Sequence, residues 1–78
     1  MKMVLVEWND SFFTHGWRGK DEFRDLGIAP CVSVGVVVSE DDNKITLVLS
    51  MGEENYADSM TIPKGCIKRI RRLKVNNK

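Results

Sequence analysis

The sequence predicts a mainly β fold: a small five-stranded domain with a long first loop and a 3₁₀ turn before the last strand. Three features lead to this prediction: an apolar, β-branched opening segment, two long alternating segments in mid-chain, and a proline followed by a tight turn near residue 63. Alternation of apolar and polar residues is typical of half-buried strands. Because the chain has only 78 residues, we expect a single domain over residues 1–75 and a short polar tail at 76–78.

The first strand is predicted from Met3 to Trp8, where the sequence reads MVLVEW. The segment that follows, NDSFFTHGWRGKDEFRDLGI, has no alternation and is the predicted long loop. Within it, KDEFRDLG is expected to form one or two helical turns, because acids stand early, where the helix dipole favours them, and Gly27 can end the helix. A connection this long in a small domain is usually functional or packed over an open core.

After Pro30 the sequence alternates through two segments, which predict a long hairpin with one buried face. In CVSVGVVVSE the even-numbered valines from 32 to 38 share a face, and in NKITLVLSM the odd-numbered apolar residues from 45 to 51 do. The intervening EDDN is typical of a turn. Gly35 predicts a bulge or a sharp bend midway along the first segment.

After a second loop, GEENYADS, a short strand leads into TIPKGCIKRIRRLK at residues 61–74. Three structures are compatible with residues 63–74, of which a disordered basic tail is disfavoured by the three apolar residues that the segment contains. Ile67, Ile70 and Leu73 recur every three residues, as on one stripe of an amphipathic helix. Gly65 disfavours that helix by ~1 kcal/mol relative to alanine. We favour the other structure, a single turn over KGC followed by a strand from Ile67.

The end of the chain, IPKGCIKRI, resembles that of SH3-like barrels, where a strand ends at a proline, a one-turn 3₁₀ helix follows and a last strand closes the barrel. The segment SVGVVVSEDDNKITLVLS is similar to the bent central hairpin of the Sm-like variant. Through EWNDS, HGW, CVSVG, DDNKITL and IPKGCIKRIRRL, nearly the whole chain also resembles small uncharacterised proteins of phages and mobile elements. These resemblances imply a five-stranded SH3-like barrel and an origin, but no chemistry.

The charge of the chain is unevenly distributed. Residues 1–60 carry five basic and eleven acidic side chains, a net charge of −6, whereas residues 61–78 carry seven basic side chains and no acid. The basic end could bind the phosphates of a nucleic acid, or it could pair with the acidic loops of a second copy. The residues that would bind nucleic acid, here called the basic stripe, are Lys68, Arg69, Arg71, Arg72 and Lys74.

The sequence contains no catalytic signature, and we expect a protein that is not an enzyme, with no cofactor and no small-molecule substrate. His15 has no recognisable nucleophile or partner, and its spacing from Cys31 and Cys66 matches no zinc pattern. Reduced cysteines are expected, although the sequence is also compatible with a disulfide. Because no apolar run reaches the ~20 residues that span a bilayer and the opening segment is too short for a signal peptide, we expect no membrane contact and a cytoplasmic location.

The aromatic residues around the first loop are the predicted site of partner binding. In SH3-like barrels this connection flanks a groove, and tryptophan and arginine are enriched at the centres of interfaces. The alternative is that the phenylalanines plug the open end of the barrel. We therefore predict an interaction module that binds a protein partner or a second copy of itself, with a basic-faced nucleic-acid-binding protein as the alternative. The predicted contact residues are Trp8, Phe12, Phe13, Trp17 and Arg18.

Overall fold

The computed structural model describes residues 1–11, 16–23 and 27–75, and within them five strands form one sheet. A 3₁₀ turn at Lys20–Phe23 precedes the second strand, and another at Lys64–Cys66 precedes the last. The predicted all-β class, the long hairpin and the turn before the last strand are confirmed, and the predicted tail at 76–78 lies outside the described residues. The strands are β1 (Met3–Asp10), β2 (Ala29–Glu40), β3 (Lys44–Met51), β4 (Tyr56–Pro63) and β5 (Ile67–Leu73).

The strand order across the sheet is β4-β3-β2-β1-β5, and every neighbouring pair is antiparallel. β4 and β5 are the two edges, and no ladder joins them in the part of the chain that is described, so closure into a barrel is not confirmed. β5 pairs with β1 from Leu73 opposite Met3 to Ile67 opposite Trp8. The helical alternative for this segment is therefore wrong, because its backbone hydrogen bonds go to β1 and not to its own preceding turn.

β2 changes its partner along its length. Its first part pairs with β1, ending with Val36 opposite Met3, and its second part pairs with β3, beginning with Val36 opposite Val48. A register shift follows between Val37 and Ser39, and such a bulge bends a strand. Residues 29–35 of β2 consequently have no pairing with β3.

Gly35 lies just before this bulge, and not in it as the sequence predicts. A Cβ atom built on Gly35 would lie 2.9 Å from the carbonyl oxygen of Val48 and 3.1 Å from the Cβ of Leu47. The glycine is therefore needed because the backbones of β2 and β3 approach each other closely here. The prediction of a bend was correct for this part of β2, but the role of the glycine is different.

The core lies between the two parts of the sheet that the bend of β2 brings together. β1 and β3 are not neighbours in the sheet, yet their side chains form one cluster, which requires the sheet to fold over. Trp8, Val37 and Ile67 pack against this cluster and are partly buried. Its buried members, none more than 3% exposed, are Val4, Val6, Ile45, Leu47 and Ile62.

The turn between β2 and β3 is stabilised by the side chain of Asp41. Its Oδ1 accepts hydrogen bonds from the backbone N–H of Asn43 at 2.8 Å and of Lys44 at 2.9 Å. This is the turn chemistry for which aspartate is favoured. The two bonds, that from Asn43 first, hold the pKa of the Asp41 carboxyl below its ordinary value.

Hydrogen bonds connect the same turn to the 3₁₀ turn that follows β4. Lys64 donates from Nζ to Glu40 Oε2 at 2.6 Å, and its backbone N–H donates to the Asn43 carbonyl at 2.8 Å. Lys2 Nζ lies 3.7 Å from the other oxygen of Glu40. The hydrogen bond from Lys64 lowers the pKa of Glu40. The hairpin and the end of β4 are thereby joined at the surface.

We expect Gly35→Ala to lower the free energy of unfolding by about 1–3 kcal/mol, because the added methyl group would overpack against the backbone of β3. Urea denaturation measures this change. Gly65→Ala is the control, since a Cβ there would meet nothing within 4 Å. Equal losses of stability in the two variants would contradict a close approach at Gly35.

We expect stability to fall on acidification as the pH passes through the lowered pKa values of Glu40 and Asp41. Because these carboxyls bind protons more readily in the unfolded chain, their contribution is present above their ordinary pKa and is lost as the pH falls through the folded one. Urea midpoints measured across the acid range should fall less steeply for the double variant Glu40→Gln, Asp41→Asn. If the urea midpoints of wild type and variant fall equally steeply with pH, the hydrogen bonds of Glu40 and Asp41 do not contribute to stability.

Candidate protein-binding groove

A groove of about 190 Å³ opens beside the point where β2 departs from β3. Pockets that hold small molecules usually measure ~300–1,000 Å³, so this groove suits individual side chains of a partner better than a whole small molecule. Both parts of the sheet contribute to it, because the bend of β2 separates them here. Its lining residues are Ser33 and Val34 of β2, Leu47, Val48 and Leu49 of β3, and Asp58 and Met60 of β4.

Two hydrogen bonds connect the groove to β1. Trp8 donates from Nε1 to Ser33 Oγ at 3.0 Å, and Ser33 Oγ donates to Met60 Sδ at 3.5 Å. The indole N–H of Trp8 thus has the partner that a half-buried tryptophan requires. Trp8 therefore positions Ser33 within the groove while its ring packs against the core.

Apolar side chains continue from the core to the surface along one face of β3 and β4. Leu47 lies opposite Met60, and Met51 lies opposite Tyr56, so these residues and the intervening Leu49 share a face. Leu47 is only 3% exposed, whereas Leu49 is 70%, Met51 45%, Tyr56 60% and Met60 44% exposed. The exposed members are called here the hairpin strip: Leu49, Met51, Tyr56 and Met60.

The predicted burial of one face of the hairpin is therefore only half correct. Along β3 the face predicted to be buried is covered at Ile45 and Leu47 but open at Leu49 and Met51. Along β2, Val32 and Val34 are 64% and 54% exposed. These two valines lie on the face opposite the core, since Ser33 and Gly35, not Val34, are opposite the buried Val6 and Val4 of β1. In β3 the alternating pattern extends beyond the core and ends in solvent, whereas in the first part of β2 the valine face is the outer face.

Three carboxylates lie in β4 and in the loop that joins β3 to β4. Asp58 lines the groove, and Glu53 and Glu54 lie in the loop between β3 and β4. None of the three forms an ion pair with another described residue. Asp58 also has a φ of 59°, in the left-handed region, which aspartate and asparagine occupy more readily than other non-glycine residues. A negative charge therefore accompanies the apolar surface.

The predicted contact residues of the first loop occupy different surroundings. Trp17 is completely exposed and Arg18 is exposed, whereas Trp8 is half-buried and hydrogen-bonded. Phe12 and Phe13 lie outside the described residues, as does the Phe23 side chain that the plugging alternative invokes. Sequence reasoning missed the groove, although one signal could have revealed it: the apolar alternation of β3 extends beyond what a small core needs.

The basic stripe is divided between the two faces of β5. Arg71 is opposite Leu5 and Arg69 opposite Glu7, whereas Arg72 is opposite Val4 and so lies on the other face. Arg69 Nε donates to Glu7 Oε2 at 2.6 Å, an exposed ion pair. Lys68 falls at a register shift and Lys74 follows the strand. The five side chains do not form a single cationic surface.

Other candidate chemistry has no site in the described residues. Cys31 and Cys66 are free, and the Cys31 thiol donates to the Ala29 carbonyl at 3.4 Å. No three His, Cys, Asp or Glu residues among those described lie close enough to hold a metal ion, and His15 is outside them. No helix in residues 1–11, 16–23 and 27–75 is long and apolar enough to cross a membrane.

A scan against protein-family models found no match to this chain, and neither did searches of the curated proteins and of the solved structures. The resemblances to SH3-like barrels and to phage proteins therefore stay predictions. What the chain can do must be inferred from its own surface.

We expect Trp8→Phe to lower the free energy of unfolding by about 0.5–1.5 kcal/mol, because the variant loses the hydrogen bond to Ser33. Trp17→Phe is the matched control and should change stability by less than about 0.5 kcal/mol, since the side chain is fully exposed. Urea denaturation followed by circular dichroism compares the two. A larger loss at Trp17 than at Trp8 would contradict the assignment of Trp8 to the core.

Proposed function

We propose that this protein is a non-enzymatic interaction module that binds a protein partner, or a second copy of itself, through the groove and the hairpin strip. One observation carries the proposal: four large apolar side chains are exposed in direct continuity with the buried core. Contiguous exposed apolar surface rimmed by polar residues is typical of sites that bind other proteins. The adjacent groove supplies a recess for a side chain of the partner.

The shape of the molecule supports this proposal. Its radius of gyration is 16.4 Å, compared with about 11.5 Å for a compact domain of this length. Only six hydrophobic residues are buried among those described. A small domain has little stability to spare, and a partner that covers the hairpin strip would add ~25 cal/mol for each Å² of apolar surface removed from water.

The first loop supplies a second part of the proposed surface. Trp17 is fully exposed, and a tryptophan that is free to enter a pocket of a partner is a strong interface residue. Arg18 follows it in sequence, and Phe12 and Phe13 keep their predicted roles there. Trp8 contributes indirectly, through its hydrogen bond to Ser33.

We also propose that the fold is an open relative of the SH3-like barrel. The strand order, the bent β2 and the 3₁₀ turn at Lys64–Cys66 support this assignment. The unpaired edges of β4 and β5 are the feature that departs from a closed barrel. An origin in a phage or mobile element and a cytoplasmic location remain predictions from the sequence.

The alternative function, nucleic-acid binding through the basic stripe, has less support. If four phosphates were contacted, the logarithm of the binding constant would fall with the logarithm of the salt concentration with a slope of roughly −3.6. The stripe is split between two faces, however, and Arg69 is already paired with Glu7. No aromatic residue lies in this segment to stack on bases, although stacking usually contributes to single-strand binding.

Affinity capture from an extract of the source organism, together with sedimentation velocity, tests the proposed function. Leu49→Asp should abolish capture of the bound protein, or dissociate the oligomer, because a charge then lies in the hairpin strip. Val75→Asp is the control: Val75 is 66% exposed, close to the 70% of Leu49, but lies beyond β5. Trp17→Ala should weaken the same capture.

If wild-type protein and Leu49→Asp capture the same proteins and sediment alike, the proposed surface is wrong. Capture lost only in Trp17→Ala would move the binding site to the first loop. Recovery of nucleic acid that is released by salt from all variants would favour the alternative function.

A further inference from the structure

We propose that the partner binds by adding a strand to the free edge of β2 beside the groove, and that this strand alternates apolar with basic side chains. This inference rests on the proposed function, because it uses the same groove. It specifies the conformation and the chemistry of the bound segment.

The first part of β2 has an unpaired side. β1 pairs with it through residues 29–36, but β3 pairs only from Val36 onwards. Val37 N–H donates to the Lys2 carbonyl at 2.8 Å, and the groups of an antiparallel strand alternate in direction. Val37 thus faces β1, and so do the other odd-numbered residues of this part of β2. The N–H and C=O groups of Val32 and Val34 point away from β1, to the side of the groove, where no described strand pairs with them.

Pro30 and the bulge after Val37 bound this edge, and between them it lacks the features that usually protect a strand from pairing. Such protection comes from lysines, prolines, bulges or an irregular backbone. β5 carries lysine and arginine, and β4 contains Asp58 with its positive φ and ends at Pro63. Between Val32 and Gly35 the β2 edge has none of them. Of the open edges in the described sheet, it is the best template for another strand.

The groove lies on the same side as this edge and would receive side chains of the added strand. Val34 is at once an edge residue and a lining residue, and Leu49 and Met60 face it from β3 and β4. Alternate side chains of an added strand point to the same face. An apolar residue at every second position would therefore contact the groove and the adjoining hairpin strip.

The negative charges beside the groove favour a partner with basic side chains. Asp58 lies in the groove, Glu53 and Glu54 follow in the adjacent loop, and no described cation pairs with them. Lysine or arginine between the apolar residues of the partner would complement these charges. The basic segment of this chain, IKRIRRL, does not have this pattern, because its apolar residues Ile67, Ile70 and Leu73 recur every three positions and do not share one face of a strand. The added strand is therefore assigned to another protein.

Binding of synthetic peptides to the full ¹⁵N-labelled chain tests the inference. The first peptide alternates valine with lysine, the second is the same peptide with N-methyl groups on alternate backbone nitrogens, and the third has glutamate in place of lysine. The first peptide should bind and slow hydrogen exchange at the amides of Val32 and Val34. The other two should bind at least about tenfold more weakly, because they lack backbone donors or the complementary charge.

The role of the acidic groove is tested with variants of matched charge. Asp58→Asn removes the carboxylate and keeps a residue type that tolerates the left-handed conformation, so the fold should be retained. Asp42→Asn makes the same change of charge in the turn at the other end of β3. The valine–lysine peptide should bind more weakly to Asp58→Asn than to Asp42→Asn.

Three results would overturn the inference: no peptide binds, the N-methylated peptide binds as well as the first, or protection appears in β4 or β5 and not at Val32 and Val34. If Leu49→Asp nevertheless abolishes capture of the natural partner, only the added strand is wrong, and the proposed binding surface stands. If Leu49→Asp leaves capture unchanged, the proposed function itself fails, whatever the peptides do.

Discussion

The structure depends on the point where β2 passes from one neighbour to another. Val36 is opposite both Met3 of β1 and Val48 of β3, and the bulge that follows bends the strand. Without this transfer β1 and β3 would lie in one extended sheet, and their apolar side chains could not meet. The close approach at Gly35 permits the transfer, because any side chain there would contact the backbone of β3.

The same bend explains why the molecule has both a core and an open groove. Where β2 and β3 are paired, Ile45 and Leu47 are buried, and where they part, Leu49 and Met51 are exposed. A single uninterrupted apolar pattern in β3 thus serves two purposes: its first half stabilises the fold, and its second half is available to a partner. The hydrogen-bonded series Trp8, Ser33 and Met60 joins the two regions.

The open edges of the sheet differ in ways that matter for association. β5 carries much of the positive charge of the chain, and β4 is irregular at Asp58, so both are protected against unselective pairing. Between Pro30 and the bulge, the edge of β2 is not protected and faces the acidic groove. Electrostatic complementarity of this kind governs which partner binds more than how tightly it binds. The uneven charge seen in the sequence therefore bears on selectivity at a specific place in the fold.

The sequence by itself determined the strands, because their signals are local: alternation in β2 and β3, β-branched residues in β1, and the proline and tight turn before β5. It also separated the basic end of the chain from the acidic remainder. Only the tertiary structure decided which apolar residues are buried, since Leu47 and Leu49 belong to the same alternating pattern, yet only Leu47 packs in the core cluster with Val4 and Val6 of β1. The groove, the division of the basic stripe and the free edge of β2 likewise arise from pairing between distant segments. No local pattern in the chain encodes where one strand leaves another.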